Sequence, residues 1–220
     1  MYLSYRFVDH ATFDSMQAYQ SRLKVSYVKQ KVIKLLEPEQ QGLWEFSLAI
    51  YAEDEVEQAC LLMQDKLDID VNLLLTCLWL AVTGRGRLNG DELADIEAQV
   101  AFWQQEIIQP LRQVRRRLKD LSRVGGKVHN SLRKSVSACE LDAEQVEQQM
   151  LGQALIHRHQ DITLGQARRL SDGLHNVLLL MKSSQRMENG WNRSLAILLG
   201  ACFPGATRSQ IIDILNAPAE

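Results

Sequence analysis

The chain has 220 residues, 46% hydrophobic and 24% charged, which are ordinary values for a globular protein and enough length for one substantial core. A formal net charge of −2 excludes a chain that is strongly basic or acidic overall. The most apolar run, Val71 to Val82, has twelve residues where a membrane-spanning helix needs about twenty, and the N-terminus lacks the order of a secretion signal; no transmembrane segment and a cytoplasmic location are expected.

Residues 1–40 read as a partly helical N-terminal extension. Ser15 to Leu36 carries a loose stripe of Met16, Tyr19, Leu23, Val32 and Leu36, and Pro38 ends it, because proline steers the preceding residue away from helix. From 41 to 220 a single helical domain is expected. Leu43, Trp44, Phe46, Ser47 and Ile50 fit a short helix, and Val56, Ala59, Cys60, Met63 and Leu67 follow helical spacing. Glu53, Asp54, Glu55 and Glu57 stand where the helix macrodipole favours negative charge. Asp70 can cap the next helix, which is apolar on every side from Leu73 to Ala81 and must therefore be surrounded by others.

Gly84 stops that helix, and Asn89 with Glu92 reads as a capping box for its successor. The next stretch, residues 94–158, predicts a long antiparallel hairpin. Val100, Trp103, Ile107, Leu111, Val114, Leu118 and Leu121 form one seam, and Val128, Leu132, Val136, Cys139, Ala143, Val146 and Met150 form the other. Both approximate the 3.5-residue coiled-coil repeat, and Gly125-Gly126 joins them. Pro110 cannot donate to the carbonyl of Glu106, so a kink or a helix restart is expected there. Helices follow over 163–217: Thr163 and Gln166 suggest a capping box, Gly190 a break, Pro204-Gly205 a stop, and Thr207 with Gln210 a last cap. Nothing has the alternation of a strand. The expected fold is all-α, a helical bundle with a coiled-coil-like hairpin.

The segments Leu43 to Ala49, Val56 to Leu61, Asp70 to Leu75 with Trp79, and Trp103 followed by Pro110-Leu111-Arg112 and Arg115 to Lys119 resemble an uncharacterised protein family of proteobacteria. The likeness covers roughly residues 43–155. It implies a cytoplasmic bacterial protein with a helical fold, and it brings no activity and no functional residue.

Enzyme chemistry finds little support. There is no Ser/His/Asp order, reactive-cysteine signature, dinucleotide fingerprint or P-loop, so no catalytic residue and no cofactor are assigned. His157, His159 and Asp161 could be metal ligands only in an extended segment, since helix residues two apart do not share a face; no metal is assigned. Asp68, Asp70 and Asn72 resemble the start of a calcium loop, but no glycine turn or bidentate glutamate follows. Cys60, Cys77, Cys139 and Cys202 all sit among apolar residues and read as reduced, buried hydrophobes.

Two constellations remain. Asp70 and Asn72 need polar partners beside so apolar a helix; Trp44 or Arg85 would satisfy them, or the four residues would line a small-ligand pocket. The other is basic: Arg112, Arg115, Arg116, Arg117, Lys119, Arg123, Lys127, Arg133 and Lys134 carry +8 after Asp120 is counted, leaving −10 for the rest. With the turn at Gly125-Gly126, Glu140, Asp142, Glu144 and Glu147 should oppose residues 104–111, so the hairpin tip keeps its charge. The favoured reading is a non-enzymatic interaction or adaptor protein that binds a protein partner through this tip. Nucleic acid or a ribosomal surface is the first alternative, and a small-ligand carrier or enzyme near Asp70 and Asn72 is the second. The oligomeric state is not readable.

Overall fold

The structure, a computed structural model, describes residues 42–121, 126–183 and 191–216. The expectations for residues 1–40, Arg123, Gly125 and Gly190 lie outside the described residues. Every regular element described is helical: α1 (Leu43–Tyr51), α2 (Val56–Leu67), α3 (Val71–Val82), α4 (Gly90–Trp103), a π-helical turn (Gln104–Ile108), α5 (Gln109–Asp120), α6 (Gly126–Ala154), α7 (Gln166–Ser183), α8 (Asn192–Cys202) and α9 (Arg208–Asn216). These residues fall into two compact units. The larger unit holds residues 42–100 and 148–216; the smaller holds Ala101–Glu147.

In the larger unit α3 is the centre, as its all-round apolar sequence requires. Every residue from Asn72 to Val82 is buried, and Leu74, Leu75, Leu78 and Leu80 are 0% exposed. Helix α7 packs along α3, and α8 along α2. Gly173 allows the first of these approaches, because a Cβ there would lie 3.3 Å from that of Ala81. The hydroxyls buried in this core bond back to carbonyls four residues earlier: Ser47 to Leu43, Thr76 to Asn72 and Thr83 to Trp79. They are satisfied without any partner from another helix.

The helix starts follow the local code. Asp70 accepts from the amides of Asn72 and Leu73. Asn89 and Glu92 bond reciprocally at 2.9 and 2.8 Å, and Thr207 and Gln210 at 3.2 and 2.8 Å, both forming capping boxes. Thr163 does not cap α7 as expected. Asp161 takes its amide and hydroxyl at 2.9 and 2.6 Å, and the carbonyl of Gly165 begins the helix instead.

In the smaller unit the helix restarts at Pro110, one of the two outcomes expected there. The missing donor at Pro110 is accommodated by a π-helical turn over Gln104–Ile108, after which α5 restarts with proline in its first turn. The wider turn inserts one residue. Regular spacing from Val100 would bring Ile107, Leu111 and Val114 inward; the buried positions are instead Ile108, Arg112 and Arg115. Within this unit the buried positions of α6 are Ser137, Glu140, Ala143 and Glu147. Of the apolar seam read from the sequence, only Ala143 is buried among the described residues of this unit. Val114 is 46% exposed, Leu121 54%, Val128 83%, Leu132 51% and Val146 38%.

Candidate functional site

Two groups of residues carry chemistry, one in each unit. In the larger unit α3 ends in a Schellman motif: Gly84, left-handed at φ 73°, donates to Ala81, and the Arg85 amide donates to Leu80 at 2.7 Å. This reversal folds the Arg85 side chain over Trp79, with Cζ 4.5 Å from the ring centroid. A cation thus occupies the place where an apolar contact usually closes such a turn.

The following loop is tied down at every carbonyl. Gly84 O accepts from the Asp161 amide at 2.9 Å, Arg85 O from Arg158 Nε at 2.8 Å, and Gly86 O from Asn176 Nδ2 at 3.1 Å. Arg87 O accepts from Arg158, and Leu88 O meets His175 Nε2 at 3.0 Å. Asn176, wholly buried in α7, also accepts from the Leu88 amide at 2.8 Å and donates to Cys77 O at 3.3 Å. Two arginines of this cluster have carboxylates: Arg87 pairs with buried Asp172 at 2.8 Å, and Arg158 with Glu92. Burial opposes ionisation of Glu92, but the Asn89 amide and Arg158 outweigh it and hold the carboxyl below its usual value.

Arg85 is different. Its Nε and Nη1 are sequestered from solvent, and among the described residues no acceptor meets either. Burial lowers its pKa.

The four residues expected to line a pocket take separate parts. Asp70 caps α3; Asn72, buried, accepts from Gln148 Nε2 at 2.8 Å; Trp44 is half-buried on α1; and Arg85 stacks on Trp79. Sequence reasoning missed Gln148, Asn176 and Arg158, whose partners lie 66 to 99 residues away. A polar Asn inside the apolar stripe of α7 was the available signal for one of them.

In the smaller unit the expected basic tip is partly neutralised. Arg112 and Arg115 are buried, at 9% and 5% exposed. Arg112 pairs with Glu140 at 3.2 Å and Glu144 at 3.0 Å, and Arg115 pairs with Glu140 at 2.5 Å. The expectation that Glu140 and Glu144 meet only residues 104–111 is corrected: the π-helical turn rotates these arginines inward, and each long side chain reaches toward the carboxylates. Trp103 Nε1 adds a bond to Ala143 O at 2.9 Å. Arg116, Arg117, Lys127 and Lys134 are exposed; Lys119 and Arg133 are half-buried. Of the acidic stretch near α2, Glu55 meets Arg193 at 3.2 Å within the larger unit.

Among the described residues no cluster of three His, Cys, Asp or Glu could hold a metal, and no helix is long and apolar enough to cross a membrane. All four cysteines are free thiols; Cys60, Cys77 and Cys202 are buried, whereas Cys139 is exposed, contrary to expectation. It lies on the seam that the π-helical turn leaves outside.

The fold defines an all-α protein built around a buried central helix. Over residues 42–151 it matches a family described as a protein of unknown function (DUF2390), and the chain belongs to that family. None of the curated proteins and none of the solved structures matches it.

Proposed function

We propose that this protein is a non-enzymatic interaction protein that binds a protein partner through the Ala101–Glu147 unit. One observation carries the reading: Val114, Leu121, Val128 and Leu132 stand between 46% and 83% exposed, in the stretch that also exposes Arg116, Arg117, Lys127 and Lys134. Exposed apolar side chains grouped in this way mark interaction surfaces.

The placement of these side chains supports it further. We take α5 and α6 as the antiparallel arms of a hairpin whose inner faces carry Arg112, Arg115 and Glu140. At about 100° per residue, the four apolar residues then fall on one side of the hairpin. Arg116, Lys127 and Lys134 fall on the other. The surface has an uncharged apolar side for a protein partner and a basic side that would steer an acidic one.

The test is affinity capture from cell lysate, with and without nuclease. It compares the parent with L121S/V128S and with R116Q/R117Q/K134Q. Arg115 is left intact because it neutralises Glu140. Capture of a protein that survives nuclease and is lost in the apolar variant is the expected result. Capture abolished by nuclease and by the basic variant would transfer the function to nucleic-acid binding. If both variants capture as the parent does, the working surface is not in this unit.

A further inference from the structure

We infer that the protein bound by the apolar side of the Ala101–Glu147 unit is a second copy of this chain, an inference that rests on the hairpin and the surface proposed for that unit. The two copies pack hairpin against hairpin through their apolar sides, the tip of each toward the base of the other.

The first observation is the apolar stripe itself. On α5 it is continued by Leu111 and Leu118, both half-buried, and on α6 by Val136 and Val146. Both arms repeat at close to 3.5 residues, and no Asp, Glu, Lys or Arg interrupts either stripe. A face two helices wide with this repeat is what one hairpin needs to pack on another as a four-helix bundle. Inside the hairpin Arg112 and Arg115 meet Glu140, which leaves the apolar residues of both arms for an outside partner.

Charge decides the occupant. Glu106 and Arg117 are both exposed, and neither side chain has an ion pair among the described residues. They stand about three turns apart, so both fall along one edge of the stripe, on the side away from α6. Turned head to tail, two such edges set Arg117 of each copy against Glu106 of the other, twice by symmetry. With the tips together, α5 would instead run along α6 of the second copy. Glu106 would then lie near Asp142, and the exposed Arg116, Arg117, Lys127 and Lys134 of both copies would gather at one end. Like charges oppose that arrangement. Residues 15–36 of the same chain are a poorer occupant, since they carry Arg22, Lys24, Lys29, Lys31 and Lys34 and no carboxylate. They would pair with Glu106 but repel Arg117.

The head-to-tail axis fixes one more contact. Midway between Glu106 and Arg117, it passes at the height of Leu111 and Arg112. Arg112 meets Glu140 across the hairpin at 3.2 Å, so Cys139, the preceding residue, lies close to the axis. Its thiol is exposed in the single chain and is covered in the pair.

The test is sedimentation velocity of the full chain from about 1 µM to 1 mM, a range that spans strong to weak association. We expect monomer to give way to dimer, and the reaction of Cys139 with a disulfide reagent, fast in dilute protein, to slow over the same range. V114S/L132S should abolish the dimer while the helical circular dichroism stays as in the parent. R117E alone and E106R alone should each weaken it about tenfold, because each sets two like-charge contacts in one dimer. An equimolar mixture of the two variants should associate as the parent does, since every contact in the mixed dimer again joins opposite charges. A parent that stays monomeric throughout would overturn the inference. So would a dimer indifferent to V114S/L132S, or a mixture that associates no better than its components. The surface is judged separately: lysate capture that a monomeric parent shows and L121S/V128S loses keeps the protein-binding side and removes only the second copy.

Discussion

Arg115 and Glu140, distant in sequence, meet side-on, Nε donating to Oε2 at 2.5 Å and Nη2 to Oε1 at 3.2 Å, with side chains only 6% and 8% exposed. Arg112 shares the same carboxylate. Removing Glu140 would take their shared carboxylate from two buried guanidinium groups, although Arg112 would keep Glu144. Glu140→Ala should therefore destabilise the protein by about 3–5 kcal/mol in urea denaturation. The double change R115M/E140L should recover much of that loss, since apolar side chains of similar volume need no partner. If Glu140→Ala were neutral, the pair would have no structural role.

The second prediction concerns the central helix. Leu74 and Leu78 are both 0% exposed in α3, so either one replaced by alanine should cost about 2–5 kcal/mol. The spread reflects how far the surroundings can collapse into the space. A loss below 1 kcal/mol at both positions, by the usual marginal effect of surface changes, would contradict the core.

Thiol chemistry should be divided. Burial pushes the Cys60 and Cys77 thiols up to about 12 and raises that of Cys202 as well, which keeps them protonated and inaccessible in the native state. Cys139 is exposed. Titration with a disulfide reagent at mildly alkaline pH should find one fast thiol and three that react only on unfolding. The fast phase should vanish in C139S.

Much of this architecture is legible in the sequence because it is local. The burial of Val56, Ala59, Cys60, Met63 and Leu67 follows from spacing alone, and the caps at Asp70, Asn89 and Thr207 follow from residues two or three positions away. The smaller unit was misread for a physical reason. Helix α6 offers two faces at nearly the same period, one through Val136, Cys139 and Val146 and one through Ser137, Glu140 and Glu147. Periodicity cannot choose between them. The choice is made by the π-helical turn at Gln104–Ile108, which brings Arg112 and Arg115 opposite the acidic face, and one proline is a faint signal for such a turn. The braced loop was illegible because its partners come from distant stretches of chain.

Acid should weaken the loop. Glu92 is held below its ordinary value of 4.5, so its contribution is complete above that pH and is lost as pH falls through the lower native value. Between about pH 5 and 3 the Tm of the parent should fall more steeply than that of Glu92→Gln, because the variant has no proton to take up there. Parallel profiles would show that the bond to Arg158 does not contribute.

Two glycines near each other should behave oppositely. Gly84→Ala forces a side chain into a left-handed residue and against the Asp161 carbonyl, and should cost more than about 1 kcal/mol. Gly90→Ala meets nothing within 4 Å at the start of α4 and should be neutral or stabilising by up to about 1 kcal/mol. Thermal denaturation of the two variants decides it.

Asn176 gives the loop a particular kind of motion. Its one amide group is bonded to Cys77 inside α3, and to Gly86 and Leu88 beyond it, so the loop cannot open alone while α7 stays docked. The Leu88 amide should then exchange with deuterium only when the whole larger unit unfolds, at the same free energy as the slowest amides of α3. A surface loop would behave, on the timescale of exchange, as part of the core.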